Sequence, residues 1–455
     1  MEQTTGRDKN ILFHNRSSSK EFLLSKAELG PLSKYYGRTK DGSERDILNK
    51  IFPGMLSGDA FSEHALKLLT PYHAFGAIIV RIDNMNRQEN EQDKGQDNEQ
   101  ADRIISEVAK TIDDVCRPEN GFWGRLDRFE FGCYLPDKNS AGCLGLAVNI
   151  KVNLEKTGKE TVTSGVAEYP AFGYKKNEII ENARKALEHA DFFGPGSIVA
   201  FDAVSLNISG DKLYQNGDIN GAIKEFRTAL LFDPTDVNVH NSLGVCYAVL
   251  GDFPKAIKEF KEAVRLSPAE IMPMYNAGLS YQLMGKKEKA LKHFLKAGNL
   301  GENLFEIDFQ TGKILLELGR PEEGRMYIEK ALKLKPESSI ALFYLGEIFA
   351  ATGMAEEAEA AYEKAIKINP NDASSLSSLG LLYEQKGKNR EIALAFCRQS
   401  VEISPENGLF RQRLGRIYRK QGLLSDAMRE FEKAEGLGCE SGPYIDEIRA
   451  ERRKA

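Results

Sequence analysis

The sequence has little with which to build a metal or redox centre. None of its six cysteines forms a CxxC pair, so neither a zinc ribbon nor a thioredoxin-type motif is present. Six histidines, at 14, 64, 73, 189, 240 and 293, show no metal-ligand spacing. There is no GxGxxG or P-loop spacing for a nucleotide phosphate. Apolar runs such as Ala77-Ile78-Ile79-Val80 are far too short to span a bilayer. No apolar stretch follows Met1-Glu2-Gln3-Thr4-Thr5 that could act as a signal peptide. With 62 basic and 67 acidic residues the net charge is −5, which argues against bulk electrostatic capture of nucleic acid. So few thiols suit a reducing compartment, and the expectation is a soluble cytoplasmic protein without cofactors or metals.

What the chain does have is size and period. Its 455 residues, 41% of them hydrophobic, are too many for one ordinary domain and enough for a large core. Glycines recur at 210, 244, 278, 312, 346 and 380, each 34 residues apart, and Gly415 follows after 35. A small residue lies twelve positions on in the first five units (Ala222, Ala256, Ala290, Gly324, Ala358) and, after a one-residue slip, at Ala393 and Ala427. Four further on come Phe226, Phe260, Phe294, Ile328, Tyr362, Cys397 and Phe431. Pro234, Pro268, Pro336, Pro370 and Pro405 close most units. Three-and-four spacing of apolar residues makes each unit two amphipathic helices, and the prolines end the second. One such hairpin cannot bury its own apolar face, so the units stack into a solenoid.

This pattern resembles the tetratricopeptide repeat family, as seven units over 203–441, with a polar capping helix over 442–455. The extra residue of the sixth unit is expected in the turn at Lys388-Asn389-Arg390, and Glu302 replaces the closing proline of the third. In that family the first helix of each unit lines a groove that takes peptides or partner helices. The groove column, three residues before each glycine, reads Asn207, Asn241, Tyr275, Phe309, Phe343, Ser377, Gln412. Tyr275, Phe309 and Phe343 are therefore candidates for an aromatic ladder, or else ordinary packing between helices. Arg413, Arg416 and Arg419, at spacings of three beside Arg411 and Lys420, form either a solubilising end or a seat for an acidic peptide. Asn241 and Asn276 are present, but the lysines of the family's carboxylate clamp are not.

The first half differs. Residues 1–47 are polar and expected to be poorly ordered, and the polar run 84–100 a mobile loop. Strands are expected at 73–82, 123–126, 129–135, 160–168 and 197–201, and helices at 102–115, 140–152 and 178–193. The order β-α-β-β-α-β-α-β points to a ferredoxin-like α/β domain with additions.

Segments of 48–202 resemble the GGDEF domain of bacterial diguanylate cyclases. They include Phe52-Pro53-Gly54-Met55-Leu56-Ser57-Gly58-Asp59-Ala60-Phe61, Val80-Arg81-Ile82-Asp83 and Arg125-Leu126-Asp127-Arg128-Phe129-Glu130-Phe131. Thr163-Ser164-Gly165-Val166-Ala167 and Ala183-Arg184-Lys185-Ala186-Leu187-Glu188-His189-Ala190 complete the likeness. The resemblance implies a site that joins two GTP molecules into cyclic di-GMP on divalent cations. Its chemistry is missing. The family's Gly-Gly turn is Asp127-Arg128, its acidic metal position Phe129, its strand aspartate Arg81 and its phosphate-binding lysine Asp191. A guanidinium at a metal subsite repels the metal. Glu130 and Asp83 survive, either as polar residues at the sheet's solvated edge or as remnants of a nucleotide or metal site, and the resemblance implies that Asp102 matches the family's base-contacting aspartate. Arg117-Pro118-Glu119-Asn120 is the nearest match to the family's product-binding RxxD. The sequence thus points to a multidomain, non-catalytic scaffold with a protein or peptide partner in the groove. A cyclase, or a GTP or cyclic di-GMP sensor, is the alternative.

Overall fold

Phe75–Ile82 is apolar along nearly its whole length and buried, as a strand covered on both faces must be. In the computed structural model, which describes residues 47–83, 85, 96–158, 160–301 and 304–454, it is the central strand β1. The remaining strands are β2 (Phe122–Asp127), β3 (Glu130–Pro136), β4 (Val162–Tyr169) and β5 (Ile198–Ala200). The sheet runs β2-β3-β1-β4-β5, with only β4 and β5 parallel. The helices of this part are α1 (Ile47–Ile51), α2 (Gly58–Leu68), α3 (Gln96–Cys116), α4 (Ser140–Thr157) and α5 (Ile179–Ala190). Each strand and helix expected from 73 to 201 is present with its ends moved by a few residues, α5 closing in a short 3-10 turn at Asp191–Phe193.

Alternation along the strands gives the sheet two cores. Ile78, Val80, Phe131 and Val166 face Ile104 and Val108 of α3 and Leu146 and Ile150 of α4. Ala77, Ile79, Tyr134 and Ala167 face Phe61 of α2 and Ala183 and Leu187 of α5. Gly165 lets α5 sit directly on β4: a Cβ there would lie 2.0 Å from the Ala183 carbonyl oxygen.

From Ala203 the chain is helical. Repeat one is α6 (Ala203–Gln215) and α7 (Ile219–Phe232), and repeat two is α8 (Val237–Val249) and α9 (Phe253–Leu266). Repeats three and four are α10 (Ile271–Leu283) with α11 (Lys287–Leu300) and α12 (Phe305–Glu317) with α13 (Pro321–Leu334). Repeats five and six are α14 (Ser339–Ala351) with α15 (Ala355–Ile368) and α16 (Ala373–Lys386) with α17 (Arg390–Ile403). Repeat seven is α18 (Gly408–Lys420) with α19 (Leu424–Gly436), and α20 (Gly442–Lys454) ends the described chain.

Side-chain caps from Asp218, Asp236, Asp252, Ser338, Asp372 and Asn407 start many of these helices. The 34-residue glycine has a packing cause. A Cβ on Gly244 would come within 2.5 Å of the Phe260 ring, and each equivalent glycine meets the large residue sixteen or seventeen positions on. In repeat six the helix start lies three residues after Gly387 rather than two after Gly251, so the insertion is in the turn, with Asn389 at φ 40°.

Two compact units divide between Ser267 and Pro268. The first holds the sheet domain with repeats one and two, and the second holds repeats three to seven with α20. The expectations for residues 1–46, for most of 84–100 and for Glu302 fall outside the described residues. Among the described residues no helix is long and apolar enough to cross a membrane.

Candidate functional site

Arg81 lies near the end of β1, opposite Glu130 on β3 and Thr163 on β4. Its guanidinium reaches across to Asp191, beyond α5, in a two-pronged ion pair, with Nη1 3.3 Å from Oδ2. Burial works against the Arg81 charge, but the Asp191 hydrogen bond and charge outweigh it and hold the group above arginine's ordinary range. Glu130 accepts from Arg184 Nη1 of α5 at 2.6 Å. Positions 81 and 191, which the sequence reading links to a metal and a phosphate, are thus bound to each other. Arg184, the partner of Glu130, carries no distinctive spacing in the sequence and is not identifiable from it.

Asp83 is buried rather than at a solvated edge. It accepts from Thr163 Oγ1 at 2.6 Å and from the Gly196 N–H at 2.9 Å, which ties the loop before β5 to the end of β1. Asp127 and Arg128 are exposed at the hairpin turn, where the Arg128 N–H donates to Asp127 Oδ1 at 2.6 Å. The Arg128 guanidinium lies 5.1 Å from the Phe129 ring centre. Asp102 stands on α3, across the sheet from α5, and joins none of these contacts among the described residues. The RxxD-like segment is also committed: Arg117 pairs with Asp113 at 2.5 Å, and Glu119 with Lys138 at 2.6 Å. Among the described residues no group of three or more His, Cys, Asp or Glu side chains could hold a metal ion.

The groove column divides in the structure. Tyr275 is 3% exposed, its ring 5.7 Å from Phe294, and Phe309 is 8% exposed. Phe343 is half-buried. Ring contacts run from Phe305 to Phe309 (5.7 Å), on to Tyr344 (5.4 Å) and Phe343 (5.2 Å), and end at Tyr362 (6.2 Å). The continuous aromatic chain therefore passes through repeats four and five by way of Phe305 and Tyr344, which the column does not contain.

The cations of α18 are largely spoken for. Arg411 pairs with the buried Glu430 at 2.8 Å. Arg419 pairs with Glu447 and Glu451 of α20, and Lys420 with Glu384. Arg413 donates to Ser377 Oγ at 3.2 Å and Ser378 Oγ at 3.0 Å. Ser378 in turn donates to Glu347, which also accepts from the Tyr362 hydroxyl, each at 2.7 Å. Arg416 alone of the five makes no hydrogen bond or ion pair among the described residues.

Family models for the tetratricopeptide repeat match residues 210–251, 237–270, 309–373 and 361–392. The repeats of the C-terminal half are tetratricopeptide repeats. The chain is similar to the crystal structure of YrrB, a TPR protein with an unusual peptide-binding site, at 23% identity over 41% of this chain and 95% of that one, TM-score 0.36. It is also similar to a tetratricopeptide repeat protein from Parabacteroides merdae, at 20% identity over 54% of this chain and 96% of that one, TM-score 0.45. The Pseudomonas aeruginosa pilF structure matches at 20% identity over 46% of this chain and 95% of that one, TM-score 0.41. No curated protein matches the chain.

Proposed function

We propose that the chain is a non-catalytic interaction scaffold or regulator of bacterial signalling, working in the cytoplasm. The tetratricopeptide repeats take a protein or peptide partner along the faces of their first helices. Phe343 and Arg416 are the accessible anchors, with Arg413 behind them. Tyr275, Phe309 and Arg419 shape the groove from within.

In this reading the sheet domain is a ferredoxin-like domain descended from a diguanylate cyclase. The strand order β2-β3-β1-β4, with α3 and α4 on one face, supports that ancestry. The observation that carries the non-catalytic reading is the Arg81–Asp191 ion pair. It fills the position of the family's metal and phosphate ligands with a bonded pair of opposite charges. Neither GTP nor cyclic di-GMP is expected to bind.

The groove is tested by affinity capture from the native cell with the parent chain and with Phe343→Ala plus Arg416→Glu. The reading expects a protein partner held by the parent and lost by the variant, which remains folded with a modestly lowered melting temperature. Equal capture by both removes these residues from the partner site.

A further inference from the structure

We propose that the sheet domain has a second role: α5 is the N-terminal cap of repeat one. This goes beyond the groove reading and stands without it. A repeat's first helix needs cover on two sides, its own second helix and a preceding element. For α6 the second helix is α7, and no repeat precedes it. The structure puts α5 there.

The face of α5 turned to the sheet is apolar, through Ile179, Ala183 and Leu187. Its other side meets repeat one with charge. Lys185 Nζ lies 2.8 Å from both carboxylate oxygens of Glu225 on α7, and the two side chains are only 12% and 11% exposed. Glu188 pairs with Lys212 of α6. His189 Nδ1 lies 3.3 Å from Ser205 Oγ, in the capping box that Asp202 forms at the start of α6. At the far end of α7, Phe232 packs against Phe172, with ring centres 3.8 Å apart, and against Phe201 at 5.7 Å.

A desolvated pair such as Lys185–Glu225 fixes one arrangement, because a shift of α5 strands two buried charges. Apolar contact alone would tolerate sliding. The surface is therefore specific, and it accounts for a cyclase-like fold kept without its ligands: the outer side of α5 and the loops around it are structural parts of the repeat array.

Native-state hydrogen exchange of the full chain across a denaturant series tests this. In the parent, peptides from β4 and from 203–232 should lose protection together. In Lys185→Glu, protection of 203–232 should fall about tenfold or more while β4 keeps its own, and adding Glu225→Lys should restore it. The milder Lys212→Ser should lower protection in 203–232 by a smaller factor, and it decides the matter if Lys185→Glu does not fold. The cap is refuted if 203–232 opens well before β4 in the parent. It is equally refuted if both single variants leave 203–232 at parental protection, or if the charge swap recovers nothing.

Discussion

The ring of Tyr362 lies against Gly346, so close that a methyl on that glycine would sit 2.5 Å from Cε1. The same contact recurs down the repeats and sets how near each pair of helices can come. Gly346→Ala should therefore cost about 2 kcal/mol by overpacking, although alanine is the better helix former. Gly145→Ala on α4, with nothing within 4 Å of the added carbon, should instead gain up to about 1 kcal/mol. Urea unfolding of both variants checks the contrast, and a stabilised Gly346→Ala would contradict the packing argument.

Burial separates the aromatic residues of the groove column. Phe309→Ala empties a site that is 8% exposed and should cost about 3 kcal/mol or more. Phe343→Ala, at a half-buried ring, should cost markedly less. Equal losses in chemical denaturation would place Phe343 in the core and remove it from the partner surface.

Arg411 and Glu430 form a desolvated pair, 13% and 8% exposed. Glu430→Ala leaves the guanidinium without its carboxylate and should cost about 3 kcal/mol. Replacing both, Arg411→Met with Glu430→Leu, should bring stability back to near the parent. A double variant no better than Glu430→Ala alone would show that the loss does not come from the uncompensated guanidinium.

His240 Nδ1 lies 2.8 Å from Glu259 and its Nε2 3.1 Å from the Pro234 carbonyl oxygen. Both contacts are satisfied only when both nitrogens carry hydrogen, and the Glu259 hydrogen bond, against the opposing effect of burial, raises the His240 pKa. The folded state thus favours the proton. The contribution is fully present below the unfolded value of about 6.5 and is lost as pH rises through the folded value. The stability gap between parent and His240→Gln should be wider at pH 6 than at pH 8. A gap equal at both, or wider at pH 8, would contradict the assignment.

The helix pairs are legible in the sequence because their spacing has one physical source, a glycine under the side chain sixteen or seventeen positions on, which is a ring in five of the seven units. The hairpin of β2 and β3 and the strand order of elements are legible from alternation. Side-chain partners are not. Arg81 and Asp191 stand 110 residues apart, and nothing in either segment signals that a cation at one position is matched by an acid at the other. The arginines of α18 share one face by spacing, yet spacing carries no information about Glu430, Glu447 or Glu384, which neutralise three of the five cations with Arg411, Arg419 and Lys420. A column at repeat spacing likewise marks equivalent positions without marking depth, which is why Tyr275 and Phe343 look alike in the sequence and differ in burial. The role of α5 beside repeat one leaves no trace in either the cyclase-like or the repeat pattern.

The central claim is the proposal that the sheet domain binds no guanine nucleotide. Isothermal calorimetry of the full chain with GTP and Mg²⁺ addresses it most directly. The ion pair between Arg81 and Asp191 predicts no saturable heat. Saturable micromolar binding that disappears in Glu130→Gln would contradict it.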